Sequence, residues 1–257
     1  MTSLIGISGK MGHGKDLLAR IIQIMTHHTN LSDVQVKILV DAGYPTGTKY
    51  QVKKFADNLK QCASLLTSIP VDNFEDQEFK KTYLGPEWNY WTVSVIDNGK
   101  LRMEQGRYKS KEEAEENAKY LLEVYGTFRM EYVVGMRQMT VRQLLQELGT
   151  DAVREHLHPN SWVNSLLSSY LPTDHWIITD VRFPNEFKAV REKGGLLVRI
   201  NRPMMPDNVH SSETALDTGY EFDIVIDNVK DVAFLIKQVR EKILPLILKN
   251  QPKNESN

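Results

Sequence analysis

The chain has 257 residues, of which 41% are hydrophobic and 25% charged, and its formal net charge is -1. This composition is ordinary for a soluble globular protein, and the balanced charge gives no global field that would attract nucleic acid or an anionic membrane. The single cysteine, Cys62, excludes an intrachain disulfide and a cysteine-based zinc site. No apolar run approaches the ~20 residues of a membrane helix, and the N-terminus lacks the pattern of a signal peptide. We therefore expect a cytoplasmic protein with neither a membrane nor a nucleic-acid partner.

A strand, a glycine-rich turn and a helix open the predicted fold. Residues 4–8 (LIGIS) form a short apolar run, and apolar side chains recur with helical spacing from Lys15 onward. Between them, residues 9–15 (GKMGHGK) match the G-x-x-x-x-G-K pattern of a phosphate-binding loop. In such a loop the backbone N–H groups and the helix N-terminus surround a phosphate, and the lysine reaches the β- and γ-phosphates. The predicted ATP-binding residues are Gly9, Gly12, His13, Gly14, Lys15 and Asp16.

Asp16 stands at the position where Ser or Thr usually ligates magnesium. A carboxylate is also a hard oxygen ligand for Mg²⁺. In the first turn of a helix, however, it equally stabilises the positive end of the helix dipole. The residues alone leave both interpretations open.

Two more elements are predicted in the first third of the chain. Residues 36–40 (VKILV) have the composition of a second strand. A helix that Pro70 ends follows this strand. Its apolar face is predicted to consist of Leu59, Cys62, Ala63 and Leu66.

The middle of the chain departs from the α/β pattern. Residues 91–103 read as two strands separated by Asp97-Asn98-Gly99, which predicts a β-hairpin. Ser110 and Glu113 then predict a capped helix that extends to about Tyr125. We interpret residues 85–135, approximately, as a hairpin-plus-helix insertion into a single domain of residues 1–257. A lid, a dimerisation arm and simple decoration are all compatible with its sequence.

The α/β pattern resumes after the insertion. Thr140 and Gln143 predict a capped helix that Gly149 stops, and a second helix carries Trp162. The remaining predicted elements are a strand over 176–179, a helix from Pro184 to Gly194, strands over 196–200 and 223–226, and a helix over 232–239. Strands separated by helices predict an α/β fold with a mostly parallel sheet covered on both faces.

Asp180 directly follows a buried strand, where P-loop enzymes usually place a second carboxylate that organises magnesium. A turn-forming aspartate is the alternative interpretation. Cations are also needed for an acceptor phosphate and for the charge of a transition state. The candidates are Lys60, Lys80, Arg142, Arg154, Arg182, Arg199 and Arg202.

Several sequence blocks together resemble the deoxynucleoside monophosphate kinases of tailed bacteriophages. They are residues 8–16 (SGKMGHGKD), 79–80 with 87–88, 140–151 (TVRQLLQELGTD) with Trp162, 179–183 (TDVRF) with 185–186, and His210 with 212–213. The resemblance implies a P-loop kinase fold and transfer of the ATP γ-phosphoryl group to a deoxynucleoside monophosphate. It also implies Mg²⁺ and a homodimer, in the host cytoplasm if the chain is viral.

The resemblance also assigns roles to individual residues. Those implied for catalysis are Lys15, Asp16, Asp180 and Arg182, with Asp16 and Asp180 as the magnesium residues. Those implied for the acceptor monophosphate are Lys60, Arg142, Gly149, Thr150 and Trp162. Two alternatives remain open: another small-molecule P-loop kinase, such as a phosphomevalonate kinase, and a nucleotide-binding switch or assembly ATPase.

Overall fold

The computed structural model describes residues 3–44, 49–126, 130–203 and 214–248. His210 and the pair 212–213, which contribute to the resemblance, lie outside these ranges. The chain divides into two compact units. The first comprises the residues up to Leu59 together with those from Val153 onward, and the second comprises Lys60–Ala152.

Eight strands and nine α-helices are found within the described ranges. The strands are β1 (Leu4–Ser8), β2 (Gln51–Lys53), β3 (Tyr90–Asp97), β4 (Lys100–Tyr108), β5 (Met130–Arg137), β6 (Trp176–Ile178), β7 (Leu196–Asn201) and β8 (Ile224–Asp227). The helices are α1 (Lys15–His27), α2 (Asp33–Asp41), α3 (Ala56–Thr67), α4 (Lys111–Tyr125), α5 (Val141–Gln146), α6 (Ser161–Leu167), α7 (Pro184–Glu192), α8 (Val232–Gln238) and α9 (Leu244–Leu248). None of these described helices has the length and apolarity needed to cross a bilayer.

The first unit is built on a five-stranded sheet in the order β2-β6-β1-β7-β8, and every pair of neighbours is parallel. Side chains alternate between the two faces of each strand. On one face, Ile5 and Ile7 of β1 pack in a cluster with Leu18 of α1. On the other, Leu4 packs in a cluster with Val190 of α7. The predicted parallel sheet with helices on both faces is thus confirmed.

The second unit contains an antiparallel sheet in the order β4-β3-β5. Asn98 and Gly99 connect β3 to β4 with φ angles of 49° and 73°, as a tight hairpin turn requires. Val93 packs against Ala114 and Ala118 of α4. The predicted hairpin and capped helix are therefore both present, whereas strand β5 was not predicted. That residues 85–135 form an insertion stays a prediction.

The predicted strand over residues 36–40 is wrong, because these residues lie in helix α2. Ser32 and Gln35 form a capping box in which the Ser32 Oγ accepts from the Gln35 N–H and the Gln35 side chain accepts from the Ser32 N–H. Val36 and Val40, four residues apart, are the buried residues of the helix. Helical burial and the N-terminal cap thus outweigh the strand preference of β-branched residues.

Two details of the predicted helices are also wrong. In α3 the buried residues are Lys60 and Ala63, whereas Cys62 is exposed and Leu66 is 57% exposed. Gly149 does not stop the helix that Thr140 caps, because α5 continues as a π-helical segment, Glu147–Glu155. Gly149 is buried inside that segment and does not mark the end of the helix.

Candidate active site

The glycine-rich loop of residues 9–15, the candidate phosphate-binding loop, follows β1 at the carboxyl edge of the parallel sheet, where ligands bind in open α/β folds. Gly12 lies in a turn that the His13 N–H closes by donating to the Lys10 carbonyl, at 3.2 Å. Gly14 precedes α1 and has a φ of 96°, a conformation that favours glycine. The loop therefore has the backbone turns that its glycines predicted.

The loop packs closely against the ends of two other strands. A Cβ atom on Gly9 would lie 2.6 Å from the Ile200 carbonyl oxygen of β7. The His13 Nδ1–H donates to that same carbonyl at 3.1 Å, and the His13 carbonyl accepts from the Asn228 side-chain amide at 2.9 Å. Burial lowers the pKa of the His13 imidazole, and the nearby charge of Lys15 lowers it further. His13 is thus a buried residue that anchors the loop to the ends of β7 and β8.

The Lys15 ammonium group lies within the loop. Its Nζ donates to the carbonyls of Gly9, at 2.5 Å, and Lys10, at 2.7 Å. The adjacent Asp16 side chain is 75% exposed, and its carboxylate lies 3.7 Å from the Lys54 Nζ. The first turn of α1 therefore presents one cation toward the loop and one carboxylate toward solvent.

Asp180 caps the N-terminus of α3. Its Oδ1 accepts from the Phe55 N–H at 2.8 Å, and its Oδ2 accepts from the Ala56 N–H at 3.0 Å. Burial raises the pKa of the Asp180 carboxyl, although the two N–H donors act in the opposite direction. Asp180 therefore has a structural role that the sequence did not suggest.

Thr179, the residue before Asp180, carries a buried hydroxyl with no hydrogen-bond partner among the described residues. Its N–H donates to the Lys53 carbonyl, so it continues the β2–β6 ladder. Strand alternation places its side chain on the same face as Ile177, which packs in a cluster with α1. A buried hydroxyl without a hydrogen-bond partner lowers the free energy of unfolding. The Thr179 hydroxyl is therefore a candidate to bind a ligand or a water molecule.

A buried ion pair fixes the segment that carries Arg182. The Glu186 Oε2 accepts from the backbone N–H groups of Arg182, at 2.7 Å, and Phe183, at 3.1 Å. Its Oε1 accepts from the Arg154 guanidinium at 2.6 Å, and that guanidinium lies over the Phe183 ring. Burial raises the pKa of the Glu186 carboxyl to about 7. The backbone of Arg182 is therefore held rigidly just after Asp180.

A cavity of about 510 Å³ adjoins the loop within the first unit. Its lining includes Lys10, His13, Arg199, Asn201, Arg202 and Phe222. Asp217 joins two of its cations, since one carboxylate oxygen lies 3.1 Å from the Lys10 Nζ and the other accepts from Arg199. Arg199 and Arg202 are among the candidate cations predicted from the sequence, whereas Asp217 and the cavity were not predicted.

Four of the five residues implied for the acceptor lie in the second unit. Lys60 is buried and forms an ion pair with Glu75, and the Arg142 Nη2 donates to the Gln77 side chain at 3.2 Å. The short segment 75–77 thus contacts both cations. The other two, Gly149 and Thr150, lie in the π-helical segment after α5, whereas Trp162 is buried in α6 of the first unit.

The family model for deoxynucleotide monophosphate kinase matches residues 90–239, more than half of the chain. The chain belongs to the deoxynucleotide monophosphate kinase family. The matched residues include Arg142, Trp162, Asp180 and Arg182. They do not include the candidate phosphate-binding loop of residues 9–15.

Three curated relatives are similar to parts of the chain. A putative deoxynucleotide monophosphate kinase of Acanthamoeba polyphaga mimivirus is 31% identical over 134 residues, which cover 46% of this chain and 69% of the relative. The deoxynucleotide monophosphate kinase of Enterobacteria phage T4 is 29% identical over 112 residues, covering 41% and 46%. The deoxynucleoside-5'-monophosphate kinase of Escherichia phage T5 is 26% identical over 211 residues, covering 76% and 74%.

Proposed function

We propose that this chain transfers the γ-phosphoryl group of ATP to a deoxynucleoside monophosphate, giving a deoxynucleoside diphosphate and ADP. Membership of the deoxynucleotide monophosphate kinase family is the observation that carries the proposal. The loop at the end of β1 supports it, since Lys15 lies beside backbone turns suited to a polyphosphate. The neighbouring cavity, lined by Arg199 and Arg202, is large enough to take a nucleoside.

In such a reaction the loop residues would bind the ATP phosphates, and the acceptor candidates would bind the monophosphate. Phosphoryl transfer depends mainly on positioning and on stabilising negative charge. Lys15 would contact the β- and γ-phosphates, and Arg182 would stabilise the charge that develops during transfer. Lys60 and Arg142 would hold the acceptor phosphate, and Gly149, Thr150 and Trp162 would complete the acceptor site. No covalent intermediate is required.

Magnesium fits two kinds of oxygen group in the first unit. Mg²⁺ usually binds through one or two carboxylates, substrate phosphates and several waters. The exposed Asp16 carboxylate and the unpaired Thr179 hydroxyl are suitable donors, directly or through water. Each Asp180 oxygen that accepts one N–H retains a second lone pair, so Asp180 can also contribute through water. When bound, Mg²⁺ neutralises charge on the β- and γ-phosphate oxygens.

The remaining parts of the proposal concern assembly and location. The resemblance to phage kinases supports a homodimer, which light scattering over a range of concentrations measures. The balanced net charge supports small-molecule substrates rather than a nucleic-acid partner. We place the reaction in the cytoplasm, that of the host if the chain is viral.

A panel of acceptors tests the proposed reaction. With ATP and Mg²⁺, the wild-type chain should form a diphosphate from at least one deoxynucleoside monophosphate in step with ADP release. Lys15→Ala should retain its fold and lose about 100- to 1,000-fold in kcat, because one preorganised charge is removed from the transferring group. ADP release without an acceptor would instead indicate an ATPase or switch. Exclusive use of phosphomevalonate would indicate the other kinase class.

The two aspartates test the magnesium assignment. Asp16→Asn and Asp180→Asn should each raise the Mg²⁺ concentration that gives half-maximal activity. Asp180→Asn should also lower the free energy of unfolding by about 1–3 kcal/mol, because one helix N–H loses its acceptor. Asp16→Asn, on an exposed side chain, should cost less than about 1 kcal/mol. If Asp180→Asn lowers stability but keeps the wild-type Mg²⁺ dependence, Asp180 caps α3 and has no role in binding the metal.

Arg142 tests the acceptor assignment. Arg142→Ala should lower kcat/KM for the deoxynucleoside monophosphate by roughly 30-fold to several thousand-fold, as expected for a charged group bonded to phosphate. Equilibrium ATP binding should hardly change. Arg137→Ala is the matched control, since Arg137 is an arginine of the same unit that pairs with Glu104 on the small sheet. Equal kinetics for the two variants would make Arg142 a solvated surface charge.

A further inference from the structure

Asn228, which directly follows β8, joins the last strand of the sheet to the phosphate-binding loop. Its side chain is buried, with 8% of the residue exposed. The Nδ2 amide donates to the His13 carbonyl at 2.9 Å, and the Asn228 backbone N–H donates to the Asn201 carbonyl at 2.7 Å. Asn228 is thus fixed to the end of β7 while its side chain holds a carbonyl 215 residues earlier in the chain.

The bonded carbonyl determines the direction of a neighbouring donor. The His13 carbonyl and the Gly14 N–H belong to one trans peptide, in which the C=O and N–H bonds point in opposite directions. A loop that binds phosphate turns its N–H groups inward, so its carbonyls turn outward and need donors from the surrounding protein. Asn228 supplies such a donor to His13, whereas Lys15 bonds the Gly9 and Lys10 carbonyls from within the loop.

We propose that Asn228 is a positioning residue of the phosphate-binding loop, which holds the Gly14 N–H toward the phosphate of the donor nucleotide. The inference rests on the proposed function, because it assumes that the loop binds a polyphosphate. Asn228 does not need to touch the nucleotide. It acts through one peptide plane, and a neutral amide does so without adding charge beside the phosphates.

Packing around the same peptide agrees with this role. A Cβ atom on Gly14 would lie 2.8 Å from the Asn228 Nδ2, so the Asn228 amide packs against Gly14 where any larger residue would place its side chain. The His13 ring is held separately, through the Ile200 carbonyl at 3.1 Å. Asn228, at the end of β8, therefore fixes the His13–Gly14 peptide, and Ile200 of β7 fixes the His13 side chain.

The test measures phosphate binding without a nucleoside. Inorganic tripolyphosphate is titrated calorimetrically into the full chain, together with ATP. Asn228→Ala should bind tripolyphosphate about 10- to 100-fold more weakly than the wild type, because a misdirected donor fails to meet its ligand. KM for the deoxynucleoside monophosphate should stay unchanged. Asn228→Ser, too short to reach the His13 carbonyl, should weaken tripolyphosphate binding similarly and serves if the alanine variant does not fold.

Gln238 offers the matched control. Gln238, the last residue of α8, is also a buried amide, and it bonds both the N–H and the carbonyl of Asp227, the last residue of β8, at 3.2 and 2.8 Å. Gln238→Ala should lower Tm but leave tripolyphosphate affinity intact. Equal losses of affinity in the Asn228 and Gln238 variants, or an Asn228 variant that binds like the wild type, would overturn the proposal. A wild type that binds neither tripolyphosphate nor ATP would overturn the proposed function itself.

Discussion

The first unit depends on one backbone constraint, the orientation of the peptides between β1 and α1. A loop that points its N–H groups at a phosphate must turn its carbonyls toward the protein, where each needs a donor. Asn228 provides this donor to the His13 carbonyl, and the close approach of Gly9 to Ile200 leaves no room for a side chain. The parallel sheet makes this possible, because the carboxyl ends of β1, β7 and β8 lie at one edge.

At the carboxyl edge of this sheet, single residues of the first unit combine structural roles with proposed chemical ones. Asp180 and Glu186 are buried carboxylates at the starts of helices. Both Asp180 oxygens and one Glu186 oxygen accept from backbone N–H groups, and the other Glu186 oxygen accepts from Arg154. Such charges are tolerated only with several donors, since burial disfavours the ionised form. They make the segment between them rigid, and Arg182 lies on that segment. Substitutions there will therefore change stability and activity together, which is why paired variants are needed to separate the two effects.

Patterns that depend on local chemistry could be predicted from the sequence. The parallel sheet, the hairpin at Asn98 and the capped helix at Thr140 all follow from spacing, turn residues and caps. Features that depend on distant partners could not. The apolar run at 36–40 was predicted as a strand but lies in a helix that Ser32 caps. Gly149 was predicted to stop a helix but is a buried residue of a π-helical segment. Asn228 had no signal at all, because its partner lies 215 residues away.

The central claim, that the loop between β1 and α1 directs its N–H groups at the phosphates of ATP, is tested most directly by nuclear magnetic resonance. The chain is labelled with ¹⁵N, and the amide resonance of Gly14 is followed during a titration with ATP and Mg²⁺. We predict a large downfield shift of the Gly14 amide proton that is half-maximal at the ATP dissociation constant and saturates well above it. A Gly14 resonance that stays in place while ATP binds elsewhere in the chain would contradict it.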